Sequence, residues 1–196
     1  MNATRYKSAT FPPHGDWDPR LGNIACPDLQ PVELVHENPW FAVRNRGGYF
    51  TLEYHQPQVI VLPIVEKRAV VMVRAKRPVL DDCTLELPAG CSEPERGESP
   101  AAGCARELAE ETGIVVEAKR LIPMPPLAAS PNRMPVLVYA FRVDLTQEEF
   151  DRRGKHDEEI ESVELIELDE AVRMIASGAI YVAIPVAMIG TYLMTR

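Results

Sequence analysis

The sequence predicts an α+β fold in which helices cover the faces of a mixed β-sheet. Three observations carry that prediction. Two hairpin patterns rich in β-branched and aromatic residues lie between residues 41 and 75. A helix with clear start and stop signals follows at Pro100 to Thr112. Beyond it, strand patterns at 136–143 and 163–166 are interspersed with further helical segments.

Taken in chain order, residues 1 to about 35 hold Pro12, Pro13, Pro19, Pro27 and Pro31 with little periodicity. They read as an extended arm, which divides the chain into an arm at 1–38 and a domain at 39–196. Residues 41–44 and 49–55 flank Asn45-Arg46-Gly47-Gly48, a hairpin signal. Residues 59–65 and 69–75 flank Glu66-Lys67-Arg68 as a second hairpin. Ser99 suits an N-cap, Pro100 the first helical position and Gly113 the stop. A second helix is expected from Asp169 to Gly178, and another from Pro185. No charged residue occurs from Met174 to Thr195, a length that can span a membrane. Ser177-Gly178 and Pro185 instead divide it into two packed elements.

Composition limits the function classes. The chain has 196 residues, 46% hydrophobic and 26% charged, and a net charge of -8. That acidic balance argues against a general nucleic-acid surface, which needs excess Lys and Arg. It suits a protein that binds anions through a metal and a few placed arginines. Cys26, Cys83, Cys91 and Cys104 form no CxxC pair and no zinc spacing with histidine, so reduced thiols in a cytoplasmic protein are expected.

The first helix carries the chemistry. Ala101, Cys104, Ala105 and Leu108 form an apolar stripe at i, i+3, i+4, i+7. Glu107, Glu110 and Glu111 share an adjoining face, where like charges repel one another. A hard divalent cation with oxygen preference resolves that repulsion. Arg106 lies one turn before Glu110 and is positioned to pair with it, leaving Glu107 and Glu111 freer for metal. A solvated acidic face is the bland alternative on the helix alone.

The flanking residues decide between these readings. Leu85-Glu86-Leu87-Pro88-Ala89-Gly90 precedes the helix, then Glu98, then Arg106-Glu107-Leu108-Ala109-Glu110-Glu111-Thr112-Gly113-Ile114. This resembles the Nudix box, G-x5-E-x7-R-E-U-x-E-E-x-G-U with U aliphatic, and every specified position from Glu98 to Ile114 matches. Seven residues rather than five separate Gly90 from Glu98, an extension that loop entropy tolerates. The resemblance implies an α/β/α sandwich with a loop–helix–loop catalytic unit. It makes Glu107, Glu110 and Glu111 metal ligands, with the Ala89 carbonyl and Glu98 beside them and Arg106 orienting them. The implied cofactor is Mg²⁺, with Mn²⁺ as an alternative.

Val73-Arg74-Ala75-Lys76-Arg77-Pro78, the LELPAG segment and Ser130-Pro131, about sixteen residues past the box, look like the ADP-ribose pyrophosphatase branch. Residues 156–163 and 168–171 resemble that branch's closing acidic loop, strand and helix. The implied reaction is hydrolysis of ADP-ribose to AMP and ribose 5-phosphate. Nucleotide sugars, NADH and dinucleoside polyphosphates are the alternative substrates. A non-catalytic ADP-ribose sensor is disfavoured by the intact carboxylates and the acidic charge. The branch assigns the acidic loop a base or a further metal ligand, here Glu158, with Glu159 the close alternative. Arg74 and Arg77 are candidates for holding phosphate, or polar positions on an edge strand. Trp40 and Tyr54 are candidates for stacking on a base, or core residues. Relatives in the branch form dimers through N-terminal strands, so 41–55 is the expected interface. No nucleic-acid or membrane partner is expected.

Overall fold

The computed structural model describes residues 20, 21 and 23–196. Pro12, Pro13, Pro19 and most of the expected arm lie outside the described residues. Within its last part the chain forms a strand that the proline-rich pattern did not suggest. β1 (Val32–Glu37) pairs antiparallel with β2 (Phe41–Arg46), which pairs with β3 (Tyr49–Tyr54) to complete a three-stranded sheet. Gly47 and Gly48 make the β2–β3 turn with φ of 57° and 93°, which is why the hairpin signal is centred there.

A seven-stranded mixed sheet forms the centre. It contains β4 (Gln58–Val65), β5 (Ala69–Arg77), β6 (Asp82–Glu86), β7 (Ala89–Cys91), β8 (Ile122–Pro123), β9 (Tyr139–Leu145) and β10 (Ile160–Glu167). The main path runs β10-β5-β4-β9-β8, while β6 pairs with β5 and β7 with β4. Among the described strands only β4 and β9 pair in parallel. β4 pairs with β7 at residues 58–60 and with β5 only at Ile64 and Val65. Pro63 falls in the gap between those ladders, where its missing N–H is tolerated.

The sheet is covered on both faces. Alternation along β4 sends Val59, Val61 and Val65 into a core with Cys104, Ala105 and Leu108 of α1 (Pro100–Thr112). Phe150 of the short α2 (Gln147–Asp151) closes the same layer. Ile60, Leu62 and Ile64 face the other way, onto Leu168 and Ala171 of α3 (Leu168–Ser177) and Met188, Ile189 and Tyr192 of α4 (Ala183–Thr195). This is the α/β/α sandwich. Gly178, at φ 80°, stops α3 as expected, and α4 starts two residues before Pro185. Among the described residues no helix is long and apolar enough to cross a membrane.

Candidate active site

The site is built where α1 meets β7. The Ser99 hydroxyl accepts from the Ala102 amide at 3.2 Å and Pro100 opens the helix. These caps fix where α1 begins, and hence which way its glutamates point. The Ala89 amide donates to Glu111 Oε2 at 3.0 Å, and the Cys91 amide to Glu107 Oε1 at 3.1 Å. Gly90 between them leaves the room that this seating of Glu107 needs, because a Cβ there would lie 2.2 Å from the Glu107 carboxyl carbon. Thus two carboxylates one helical turn apart are seated on the backbone of a single short strand.

Arg106 gathers the remaining acids. Its Nε donates to Glu98 at 3.0 Å, and its Nη1 to Glu107 at 3.0 Å and Glu110 at 2.7 Å. Its Nη2 donates to the Cys91 carbonyl at 2.6 Å. The expected Arg106–Glu110 pair is present, and the same guanidinium also binds Glu107. The two extra residues of the 91–97 loop are absorbed in a 3-10 turn, Pro94–Arg96, ended by left-handed Gly97. The Glu93 amide closes that loop onto Glu98 at 2.8 Å, so the insertion leaves Glu98 against Arg106.

The electrostatics are short of positive charge. Burial pushes Glu111 up to about 8, with the Glu107 charge adding to it and the Ala89 amide and Arg77 opposing it. Burial also raises Glu107. The Arg106 hydrogen bond instead holds Glu98 below the usual carboxylate range. Glu98, Glu107 and Glu110 therefore share the Arg106 guanidinium, Glu111 feels Arg77 without a hydrogen bond to it, and Glu107 and Glu111 are desolvated. Among the described residues, no three His, Cys, Asp or Glu side chains stand as a ready metal cage. The donor set nevertheless fits a hard cation, since it is all oxygen and burial outweighs the nearby arginines at its two buried members.

The acidic loop is fastened to the same helix. The Asp157 amide donates to the Glu110 carbonyl at 2.9 Å, and Gly154 to the Gly113 carbonyl at 2.8 Å. Gly113 has φ 72° and any Cβ there would meet Gly154 backbone at 2.4 Å, so this close approach requires glycine. Glu158 and Glu159 line a depression of about 580 Å³ with Lys76, Arg77, Pro78, Val79 and Leu80.

The two arginines of β5 separate. Arg77 shares the face of Val71, Val73 and Ala75, which is the α1 side, and both Glu111 and Glu159 act on it electrostatically. Arg74 has the parity of Val70 and Met72 and lies toward the opposite layer, donating to Glu164 at 2.7 Å and to the Cys83 carbonyl. The period of two along a strand imposes that split. Trp40 is 71% exposed in the β1–β2 turn, away from the core. Tyr54 makes an edge contact with Phe41 and lines a second pocket of about 350 Å³ with Arg44, Arg46, Glu53 and Gln58. Glu53 in that pocket is buried, held by Arg46 at 2.6 Å and the Thr51 hydroxyl at 2.6 Å. Arg44 and Arg46 alternate on one strand and Thr51 and Glu53 on the next, with Arg44 opposite Thr51, and that alternation is the signal by which the sequence could have revealed this cluster. The amides of Ala89 and Cys91 had no side-chain signal at all.

Comparison with known proteins agrees with this architecture. The NUDIX domain model matches residues 54–183. An ADP-ribose pyrophosphatase of Bacillus subtilis (strain 168) is 30% identical over 127 residues, covering 65% of this chain and 66% of that protein. A methanol dehydrogenase activator of Bacillus methanolicus is 32% identical over 129 residues, with the same 65% and 66% coverage. The chain thus spans just under two thirds of the length of these curated relatives. A crystal structure described as an ADP compounds hydrolase superposes with a TM-score of 0.64, covering 85% of this chain and 92% of the other. At 18% identity that likeness concerns the fold.

Proposed function

Since the chain belongs to the NUDIX domain family, we propose that it is a Mg²⁺-dependent pyrophosphohydrolase, most active on ADP-ribose, which it cleaves to AMP and ribose 5-phosphate. The observation that carries this reading is the pair of desolvated carboxylates, Glu107 and Glu111, seated on the amides of Cys91 and Ala89. Glu107, Glu111 and Glu110 would hold the metal, with the Ala89 carbonyl and Glu98 beside them. When bound, Mg²⁺ (or Mn²⁺) neutralises phosphate oxygens and makes water a better nucleophile near neutral pH.

The chain's own residues supply the rest. Arg106 restrains Glu98, Glu107 and Glu110, which limits the motion of the acidic face. Arg77 stands beside Glu111 and is suited to grip a phosphate oxygen. Glu158 takes the proton of the attacking water, with Glu159 the close alternative. The fastening of the acidic loop to α1 supports a role for that turn. Arg74, committed to Glu164, contributes to the sheet rather than to phosphate. The relative whose name is ADP-ribose pyrophosphatase and the LELPAG segment support the substrate assignment.

The same reading includes a homodimer and a cytoplasmic location. Leu34, Val35, Trp40, Tyr49 and Phe50 are exposed on the three-stranded sheet, a surface suited to a second copy. Four free cysteines accord with a reducing compartment. A panel of ADP-ribose, GDP-mannose, UDP-glucose, NADH and diadenosine polyphosphates with Mg²⁺ tests the function. ADP-ribose should lead in kcat/KM by at least about tenfold, roughly 1.4 kcal/mol. A lead by another compound refutes the substrate assignment, and inertness toward all of them refutes the activity.

A further inference from the structure

We propose that Glu86, backed by Thr84, is a positioning residue that holds Arg77 as the phosphate anchor of the site; this rests on the pyrophosphohydrolase reading. Arg77 Nε donates to Glu86 Oε1 at 2.7 Å and Nη2 to Oε2 at 3.1 Å, a two-point fork. The Thr84 hydroxyl donates to the same Glu86 Oε1. Strand register explains the arrangement. Glu86 lies opposite Val73 and Thr84 opposite Ala75, so both share the Arg77 face of the sheet, the α1 side.

Burial shows which partner is the anchor. The Glu86 side chain is 16% exposed and that of Arg77 42%, so the carboxylate is fixed in the sheet and the guanidinium reaches outward. Arg77 also lines the depression that holds Glu158 and Glu159. Its neighbourhood is crowded with acids, because Glu111 and Glu159 attract it in addition to Glu86. Without a fixed partner the long side chain would collapse onto one of those groups. Glu111 would then be occupied by an arginine instead of staying free for metal. With the fork in place, Arg77 keeps one orientation, and less side-chain freedom is lost when a phosphate arrives. Glu86 lies outside the Nudix box, and the LELPAG segment containing it was informative for substrate without giving this residue a role.

The test is a double-mutant cycle with two readouts. Binding of α,β-methylene-ADP is measured by calorimetry with Mg²⁺ for wild type, Glu86→Gln, Arg77→Lys and the double variant. KM and kcat for ADP-ribose, and urea midpoints, are measured alongside. Glu86→Gln should weaken binding and raise KM by about tenfold, with kcat within about threefold, because uniform binding is lost. In the Arg77→Lys background the same change should add less than about twofold, as expected for residues acting through one another. An unchanged KM, or an equal loss in both backgrounds, overturns the proposal and makes Glu86 a support of the sheet alone. Wild type that fails to bind α,β-methylene-ADP also overturns it. A coupled binding cycle in a protein inert toward the whole panel would instead uphold Glu86 and refute the activity.

Discussion

Replacing Gly90 with Ala separates the active site from the fold. Gly90 has no left-handed φ, so alanine fits its backbone, and the whole effect comes from the added methyl. That carbon would lie 2.2 Å from Glu107 Cδ and 2.3 and 2.4 Å from its oxygens. Ordinary carbon contacts begin at roughly 3.5 Å, so the carboxylate must retreat by more than about 1 Å. It then loses the Cys91 amide and Arg106 Nη1, at 3.1 and 3.0 Å. The obstacle is the end of a flexible side chain, which can swing aside, and water can solvate the displaced carboxylate. Net destabilisation should therefore stay within about 2 kcal/mol, the scale of one or two hydrogen bonds to a charged group. Misplacement of a catalytic group by about 1 Å costs on the order of 100-fold in rate. Steady-state kinetics on ADP-ribose at saturating Mg²⁺, with urea unfolding of the same samples, measures both. Gly97→Ala is the opposite control. It has open space but φ 76°, and should lose about 1 kcal/mol of stability with unchanged turnover. Wild-type turnover by a folded Gly90→Ala protein would refute the seating of Glu107 as a requirement for activity.

Glu107→Gln should lower kcat/KM by at least about 100-fold, on the order of 3 kcal/mol, while urea unfolding shows a fold as stable as wild type or more so. In EDTA-treated protein the raised Glu111 pKa favours the folded state fully below pH 4.5, and that contribution is lost as pH rises through about 8. Wild-type stability should therefore fall between those limits and Glu111→Gln should flatten the fall, whereas parallel urea curves for the two proteins would contradict it. Added Mg²⁺ should reverse the trend, stabilising wild type more as pH rises, because binding displaces the proton from Glu111. Glu158→Gln should depress kcat more than KM and exceed Glu159→Gln. The reverse ranking in steady-state kinetics assigns the proton transfer to Glu159.

The sequence made α1 readable because its signals are local. Ser99, Pro100 and Gly113 bound the helix, and residues within one turn of each other must share a face. β4 and β5 were readable from their runs rich in β-branched residues, 59–62 and 70–73 above all. β1 was hidden by the prolines before it, since its six residues are all exposed and carry no buried alternation. The site was readable only in its carboxylates. The amides that seat them belong to Ala89 and Cys91, and backbone donors leave no trace in residue identity. Arg74 and Arg77 stand three apart, so the period of two puts them on opposite faces of a strand, but which face meets α1 depends on sheet register, which pairing across β6 and β10 determines. Glu86 stayed silent for the same reason, as its partner lies nine residues away on a neighbouring strand.

Hydrolysis of ADP-ribose in H₂¹⁸O, followed by mass spectrometry of the products with and without Mg²⁺, tests the proposed activity most directly. One ¹⁸O atom should enter the phosphate of AMP or of ribose 5-phosphate, only when Mg²⁺ is present, and Glu107→Gln should slow its entry by at least about 100-fold. Cleavage without label in either phosphate, or labelling that persists in EDTA or proceeds at the wild-type rate in Glu107→Gln, would contradict metal-assisted attack on the pyrophosphate link.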